Sequence, residues 1–144
     1  MEKEKKHLTN LVQQNRIENK VRFLGKIKHS ELPLIYNMAD IFLMPSLMSE
    51  GHAYTLIEAM ACGLPSIATK AGGNIETIGD AGILGPPGDV NALEQAMIEL
   101  TQSPEKRREL SQRARERVMR YFSEEVAIQK ISLLLTENIP DKIH

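Results

Sequence analysis

The sequence predicts an α/β fold in which helices cover a parallel sheet and further helices close the chain. Three observations carry this. Strand-like and helix-like patterns alternate as far as Leu84. Residues 41–44 (IFLM) are apolar at every position, as suits a strand buried on both faces of a parallel sheet. From Asp89 onward only helical periodicity remains, with serine and proline placed as helix starts.

The elements follow in order. Residues 1–17 are polar with sparse apolar positions (Leu8, Leu11, Val12) and read as an amino-terminal helix. Residues 21–25 (VRFLG) form a short apolar run ended by glycine, a strand signal. Ser30 suits a helix N-cap, and Leu32, Ile35, Tyr36 and Ala39 follow at helical spacing. Residues 41–44 are the second strand. Residues 55–62 have a helix pattern that Gly63 closes as its C′ residue, with Pro65 just beyond. Residues 66–69 and 82–84 are the third and fourth strands. Such alternation with short connections predicts a parallel sheet between helices.

The remainder is helical. Asp89 caps a helix whose inner stripe is Val90, Leu93, Met97 and Leu100. Ser103 and Pro104 start a basic helix with Leu110, Ala114, Val118 and Met119 as its stripe. Ser123 caps a last helix carrying Val126, Ile131, Leu134 and Leu135. Residues 1–137 are expected to make one domain, and residues 138–144 a frayed tail.

Bulk properties exclude several classes. The chain has 144 residues, enough for one core. Its net charge of −1 gives no global field for nucleic acid or an anionic membrane. The helix over 106–120 is basic, but Glu105, Glu109 and Glu116 interleave with its cations, which reads as a solvated face. A single cysteine, Cys62, allows no intrachain disulfide and suits a reducing, cytoplasmic setting as a small core residue. The opening MEKEKKHLTN lacks the apolar run of a signal peptide. No apolar run approaches the ~20 residues that span a bilayer.

The informative stretch covers 46–69, SLMSEGHAYTLIEAMACGLPSIAT. It begins where the second strand ends. Ligands of open α/β sheets collect in the crevice at the carboxyl ends of strands. Gly51 and the small Ala53 let backbone approach a ligand closely. A helix starting near Tyr54 or Thr55 points free N–H groups and the positive end of its dipole into that crevice, a place for phosphate oxygens. Glu50 precedes the helix and Glu58 lies on it. A carboxylate accepts hydrogen bonds in pairs, which suits the vicinal hydroxyls of a ribose or hexose. Two carboxylates with phosphate-binding amides between them describe a site for a sugar–diphosphate–nucleoside.

Glu50-x7-Glu58 (EGHAYTLIE) resembles the E-x7-E motif of retaining glycosyltransferases with two Rossmann-like domains. EAMACGLPSIAT, AGGNIETI and GILGPPGDVNALEQAM, with VRFLGKIKHSELPLIYNMADIFLMPSLMSEG before them, resemble family 4 of these enzymes from about residue 21 to residue 135. The resemblance implies part of the carboxyl-terminal, donor-binding domain of a GT-B fold: a Rossmann-like, three-layer parallel sheet with helices on both faces. It implies that Glu58 holds the ribose hydroxyls and that Glu50 binds the donor sugar near its anomeric centre, as the catalytic carboxylate. Gly51, His52 and Ala53 would offer backbone amides to the sugar, and Tyr54 and Thr55 would meet the diphosphate. The backbone near Lys26 would contact the base. The implied activity is transfer of a glycosyl group from a nucleotide-sugar to an acceptor with retention, in glycan, polysaccharide or glycolipid biosynthesis, with no metal and no other cofactor. An Asp-x-Asp pair and a His/Cys ligand cluster are both missing from the sequence.

One departure stands out. The family's domain opens with two strands before the equivalent of 21–25, and the loop after the first carries an arginine and a lysine for the pyrophosphate. Residues 1–20 match only the helix that would follow the second strand. Without those strands the run at 21–25 loses its bridge to 41–44. Unpaired buried backbone groups cost ~1–3 kcal/mol each. The expected resolutions are a sheet that closes up, a second chain in the gap (a homo-oligomer among the options), or a larger parent protein with an amino-terminal acceptor domain. The isolated chain is then expected to be inactive. The alternative is a non-catalytic nucleotide-binding or interaction module; an epimerase or phosphorylase on the same plan fits the motifs less well. Other candidates have plainer readings. His52 shapes the turn rather than acting as a base, Gly72 and Gly73 make a turn that can line the pocket, Glu76 starts a helix, and Met38, Met44, Met48, Met60, Met97 and Met119 are packing residues.

Overall fold

The computed structural model describes residues 2–48 and 54–137. Its contacts divide the chain into two compact units, Met1–Leu32 and Pro33–His144. The first unit contains α1 (Glu2–Gln14) and, near its end, one turn of 3-10 helix (His29–Glu31). Ser30 lies inside that turn. The cap position falls to Lys28, which makes no side-chain cap bond, so the serine is not the cap its type suggested.

Residues 21–25 do not form a strand. They run as irregular backbone with Phe23 and Leu24 exposed. The apolar pattern is there, but a strand exists only through a ladder partner, and among the described residues none pairs with this run. The sheet therefore does not close up to include it.

The second unit holds α2 (Leu32–Asn37) from its second residue onward, then β1 (Phe42–Met44), α3 (Tyr54–Ala61), β2 (Ser66–Thr69), α4 (Asn74–Ile78), β3 (Ile83–Gly85), α5 (Val90–Gln102), α6 (Pro104–Tyr121) and α7 (Glu124–Glu137). The three strands form a parallel sheet in the order β1-β2-β3. Leu43 pairs with Ile67 and Met44 with Ala68, while Ala68 pairs with Leu84 and Thr69 with Gly85. All four residues of β2 are buried, as a central parallel strand requires. β1 differs from the expectation of burial on both faces: it is an edge strand among the described residues, and Leu43 is exposed.

Consecutive residues of β2 point to opposite faces, and each face has its own core. Ala68 joins Leu56 and Met60 of α3, Ile78 of α4, and Ala114 and Val118 of α6. Ile67 joins Ala96 and Leu100 of α5 and Leu110 of α6. Helices thus cover both faces of the sheet, in the Rossmann-like three-layer arrangement. The inner stripe of α5 is rotated from the expected one. Ala96 and Leu100 are buried, whereas Val90 and Met97 face outward. Met119 of α6 and Ile131 and Leu134 of α7 are likewise exposed.

Local chemistry sets the helix ends. The Asp89 carboxylate accepts from the Ala92 amide at 2.9 Å, and Ser103 Oγ accepts from the Lys106 amide at 3.2 Å with Pro104 at the first position. α3 stops at Gly63, whose φ of 77° few other residues tolerate. The Leu64 amide donates to the Ala59 carbonyl and the Gly63 amide to the Met60 carbonyl, the paired bonds of a Schellman end.

Candidate functional site

β1 and β2 run parallel, so their carboxyl ends, Met44 and Thr69, lie at one edge of the sheet. Buried Thr69 ties two loops together there. Its hydroxyl donates to the Ser46 carbonyl at 2.6 Å, and its own carbonyl accepts from Asn74 Nδ2 at 3.2 Å. The first bond anchors the chain leaving β1. The second fixes the turn through Gly72 and Gly73, which forms where the sequence placed it. Asn74 is itself buried, so this bond satisfies a polar group that would otherwise be costly.

α3 follows from that edge. Its first two side chains, Tyr54 and Thr55, are exposed at the amino-terminal end. Its inner face is pinned by Leu56, Ala59 and Met60. Glu58 is half-buried on the same helix. Helical side chains lean toward the helix amino terminus, so a glutamate here covers the turn below its own Cα, over Tyr54. The Glu58 carboxylate is held from α2: the Tyr36 hydroxyl donates to its Oε2 at 3.2 Å. Tyr36 is buried, and its ring meets Phe42 of β1 edge-on at 6.0 Å. Burial, and next the neighbouring Glu58 charge and hydrogen bond, push the Tyr36 phenol up to about 12.

The sequence-predicted residues therefore separate into three groups. Glu58, Tyr54 and Thr55 share α3 at the end of the sheet. Lys26 is exposed at a bend within the first unit. Glu50, Gly51, His52 and Ala53 lie outside the described residues. Sequence reading missed the parts played by Tyr36, Thr69 and Asn74. Tyr36 counted only as one member of a helical stripe. Its available signal was chemical: a buried tyrosine hydroxyl needs a partner.

The basic helix α6 keeps Arg108, Arg115 and Arg120 exposed, as a solvated face should, but ties three other arginines to neighbouring elements. Arg117 donates from Nε to the Thr77 carbonyl at 2.9 Å and from Nη2 to the Glu76 carbonyl at 2.6 Å, satisfying the carboxyl-terminal half of α4. Arg107 does the same for α5 through the Leu100 and Thr101 carbonyls. Arg113 bridges Asp80 at 2.6 Å, and that bond holds the Asp80 carboxyl below the usual carboxylate range. These arginines are committed to protein partners, and Glu109 and Glu116 are engaged on the same helix. Among the described residues, no group of three or more His, Cys, Asp or Glu side chains could hold a metal ion. No helix among them is long and apolar enough to cross a membrane.

Comparison with known proteins shows the family. The chain is 35% identical over 133 residues to the N-acetyl-alpha-D-glucosaminyl L-malate synthase of Bacillus anthracis, covering 91% of this chain and 34% of that protein. The solved structure of HepE from Anabaena in complex with UDP superposes with a TM-score of 0.85 at 27% identity, over 92% of this chain and 36% of that one. The C-terminal domain of the group 1 glycosyltransferase LpcC from Francisella tularensis superposes with a TM-score of 0.76 at 29% identity, over 83% of this chain and 63% of that one. The chain spans about a third of the length of curated relatives such as that Bacillus anthracis enzyme. Residues 1–117 match the model of the family described as glycosyl transferases group 1, and this chain belongs to that family.

Proposed function

We propose that this chain supplies the donor-binding part of a glycosyltransferase that moves a sugar from a nucleotide-sugar to an acceptor with retention of anomeric configuration, as in family 4. The observation that carries the reading is the placement of Glu58. Its carboxylate is half-buried on α3, beside the exposed Tyr54 and Thr55, at the carboxyl end of a parallel sheet of group 1 type. In this reading Glu58 accepts from the ribose hydroxyls, and the amino-terminal amides of α3 at Tyr54 and Thr55 meet the diphosphate. Glu50 is assigned to the donor sugar near its anomeric carbon, with Gly51, His52 and Ala53 presenting backbone to the same sugar. Lys26 is assigned to the base through backbone.

The acceptor half would come from an amino-terminal domain or a second chain, and catalysis needs it. The reaction calls for no metal and no cofactor beyond the donor, and a reducing cytoplasmic setting fits the lone Cys62. The relatives support the class of product. Among them are the O-antigen chain mannosyltransferase B of Escherichia coli and a phosphatidylinositol monomannoside mannosyltransferase of Corynebacterium glutamicum. Titration calorimetry of the chain with UDP, GDP and ADP tests the reading. Saturable heat with one of them, with markedly weaker but measurable affinity in Glu58→Ala, is expected. No heat with any of the three at millimolar concentration would favour a non-catalytic interaction module instead.

A further inference from the structure

We propose that Tyr36 is the positioning residue of the donor site: its hydroxyl presets the Glu58 carboxylate for the vicinal hydroxyls of a ribose. The inference rests on the donor-site reading of Glu58 and adds the group that holds it. Three observations support it. The Tyr36 hydroxyl reaches Glu58 Oε2 at 3.2 Å across 22 residues of sequence, from α2 to α3. Tyr36 is 8% exposed, so its ring cannot swing away to solvent. Phe42, at the start of β1, meets that ring nearly perpendicular, at 81°, and fixes its plane.

The chemistry explains why a hydroxyl stands there. Phenylalanine would fill the same space against Phe42 without bringing a polar group into the interior. A buried phenol is tolerated only with a partner, and its partner here is the carboxylate assigned to the ribose. Glutamate has three side-chain rotors, and freezing them on ligand binding opposes affinity. A tyrosine held on α2 against Phe42 of β1 removes that freedom beforehand. The phenol is also a neutral donor. It orients the carboxylate without cancelling the charge that strengthens hydrogen bonds from sugar hydroxyls.

Tyr36→Phe tests this, because it keeps the ring and removes one oxygen. Affinity is read by calorimetry with UDP, GDP and ADP in turn, and with the 2′,3′-dideoxy form of the diphosphate that binds. The variant is expected to bind the ribonucleotide about fivefold to tenfold more weakly, with no change for the dideoxy form. In a Glu58→Ala background the same substitution should change nothing further. Equal ribonucleotide affinity in Tyr36→Phe and the parent would overturn the inference while leaving the donor-site reading in place. Equal weakening toward ribo and dideoxy ligands would also overturn it, since that marks a general structural role. No binding by the parent chain would overturn the donor-site reading and this inference with it. If Tyr36→Phe melts at the assay temperature, tyrosine-ring NMR of the parent decides. The ribonucleotide should shift the Tyr36 signals and the dideoxy form leave them in place; identical shifts with both would refute the proposal.

Discussion

α3 and α6 both carry charged side chains near the same core, and they use them in opposite ways. Three arginines of α6 brace its neighbours. Arg107 and Arg117 satisfy the last carbonyls of α5 and α4, and Arg113 pairs with Asp80. Glu58 of α3 accepts from a neutral phenol on α2, which orients the carboxylate but leaves its charge uncancelled by that bond. The difference teaches how to read a charge in such a fold. A cation seated on backbone carbonyls is a structural brace. A carboxylate oriented by a neutral hydroxyl at the end of a parallel sheet is the group the proposed reading assigns to a ligand.

Substitutions can break this contrast. Arg117→Ala should have the largest effect on stability. It removes two charged hydrogen bonds to α4 and the stacking of the guanidinium on Tyr121 at 5.0 Å, at a cost of about 3 kcal/mol. Thermal melting should show the loss, while nucleotide affinity of the folded protein stays unchanged. Glu58→Gln should do the reverse: affinity for a nucleoside diphosphate falls about tenfold, and the melting temperature changes by no more than ~0.5 kcal/mol implies. A stability loss in Glu58→Gln comparable with that of Arg117→Ala would erase the distinction.

Titration sharpens it. The Tyr36 phenol, raised from 10.0 to about 12, keeps its proton longer in the fold than in the unfolded chain. Its stabilising contribution is complete below pH 10 and is lost as pH rises toward about 12, on the order of 2 kcal/mol. Denaturant melts of the parent should weaken across that window more steeply than melts of Tyr36→Phe. Gly79→Ala addresses the other helix. Gly79 has φ 52°, and an added Cβ would sit 2.3 Å from the Arg117 guanidinium carbon. A loss of about 1–2 kcal/mol is expected, shrinking in an Arg117→Ala background. Asp80→Asn should have the smallest effect. The Asp80 carboxyl is held low by Arg113, so its contribution is present at neutral pH and lost as pH falls through its folded value. The variant should show a shallower acid limb in stability and no change in ligand binding.

Much of the fold was legible because its signals are local. Asp89, Ser103 and Gly63 act within a few residues of themselves, and each ends a helix where its chemistry says it should. β2 was legible because a buried parallel strand is apolar or small at every position. The run at 21–25 misled because strand identity depends on a partner, which no local pattern supplies. α5 misled more mildly: Val90 belongs to its first turn and points outward, and the small Ala96 carries the contact instead. In the site, the helix that carries Glu58, Tyr54 and Thr55 together was legible from its local pattern. Tyr36 was not, because the bond that gives it meaning joins residues 22 apart. The Arg117 brace spans 40 residues and was hidden for the same reason, its cation reading as surface charge.

The most direct measurement is a crystal structure of the chain with the nucleoside diphosphate it binds. The ribose hydroxyls should lie within hydrogen-bonding distance of the Glu58 carboxylate, with the diphosphate at the amino-terminal end of α3. A nucleotide bound elsewhere, or one whose ribose faces away from Glu58, would contradict the account.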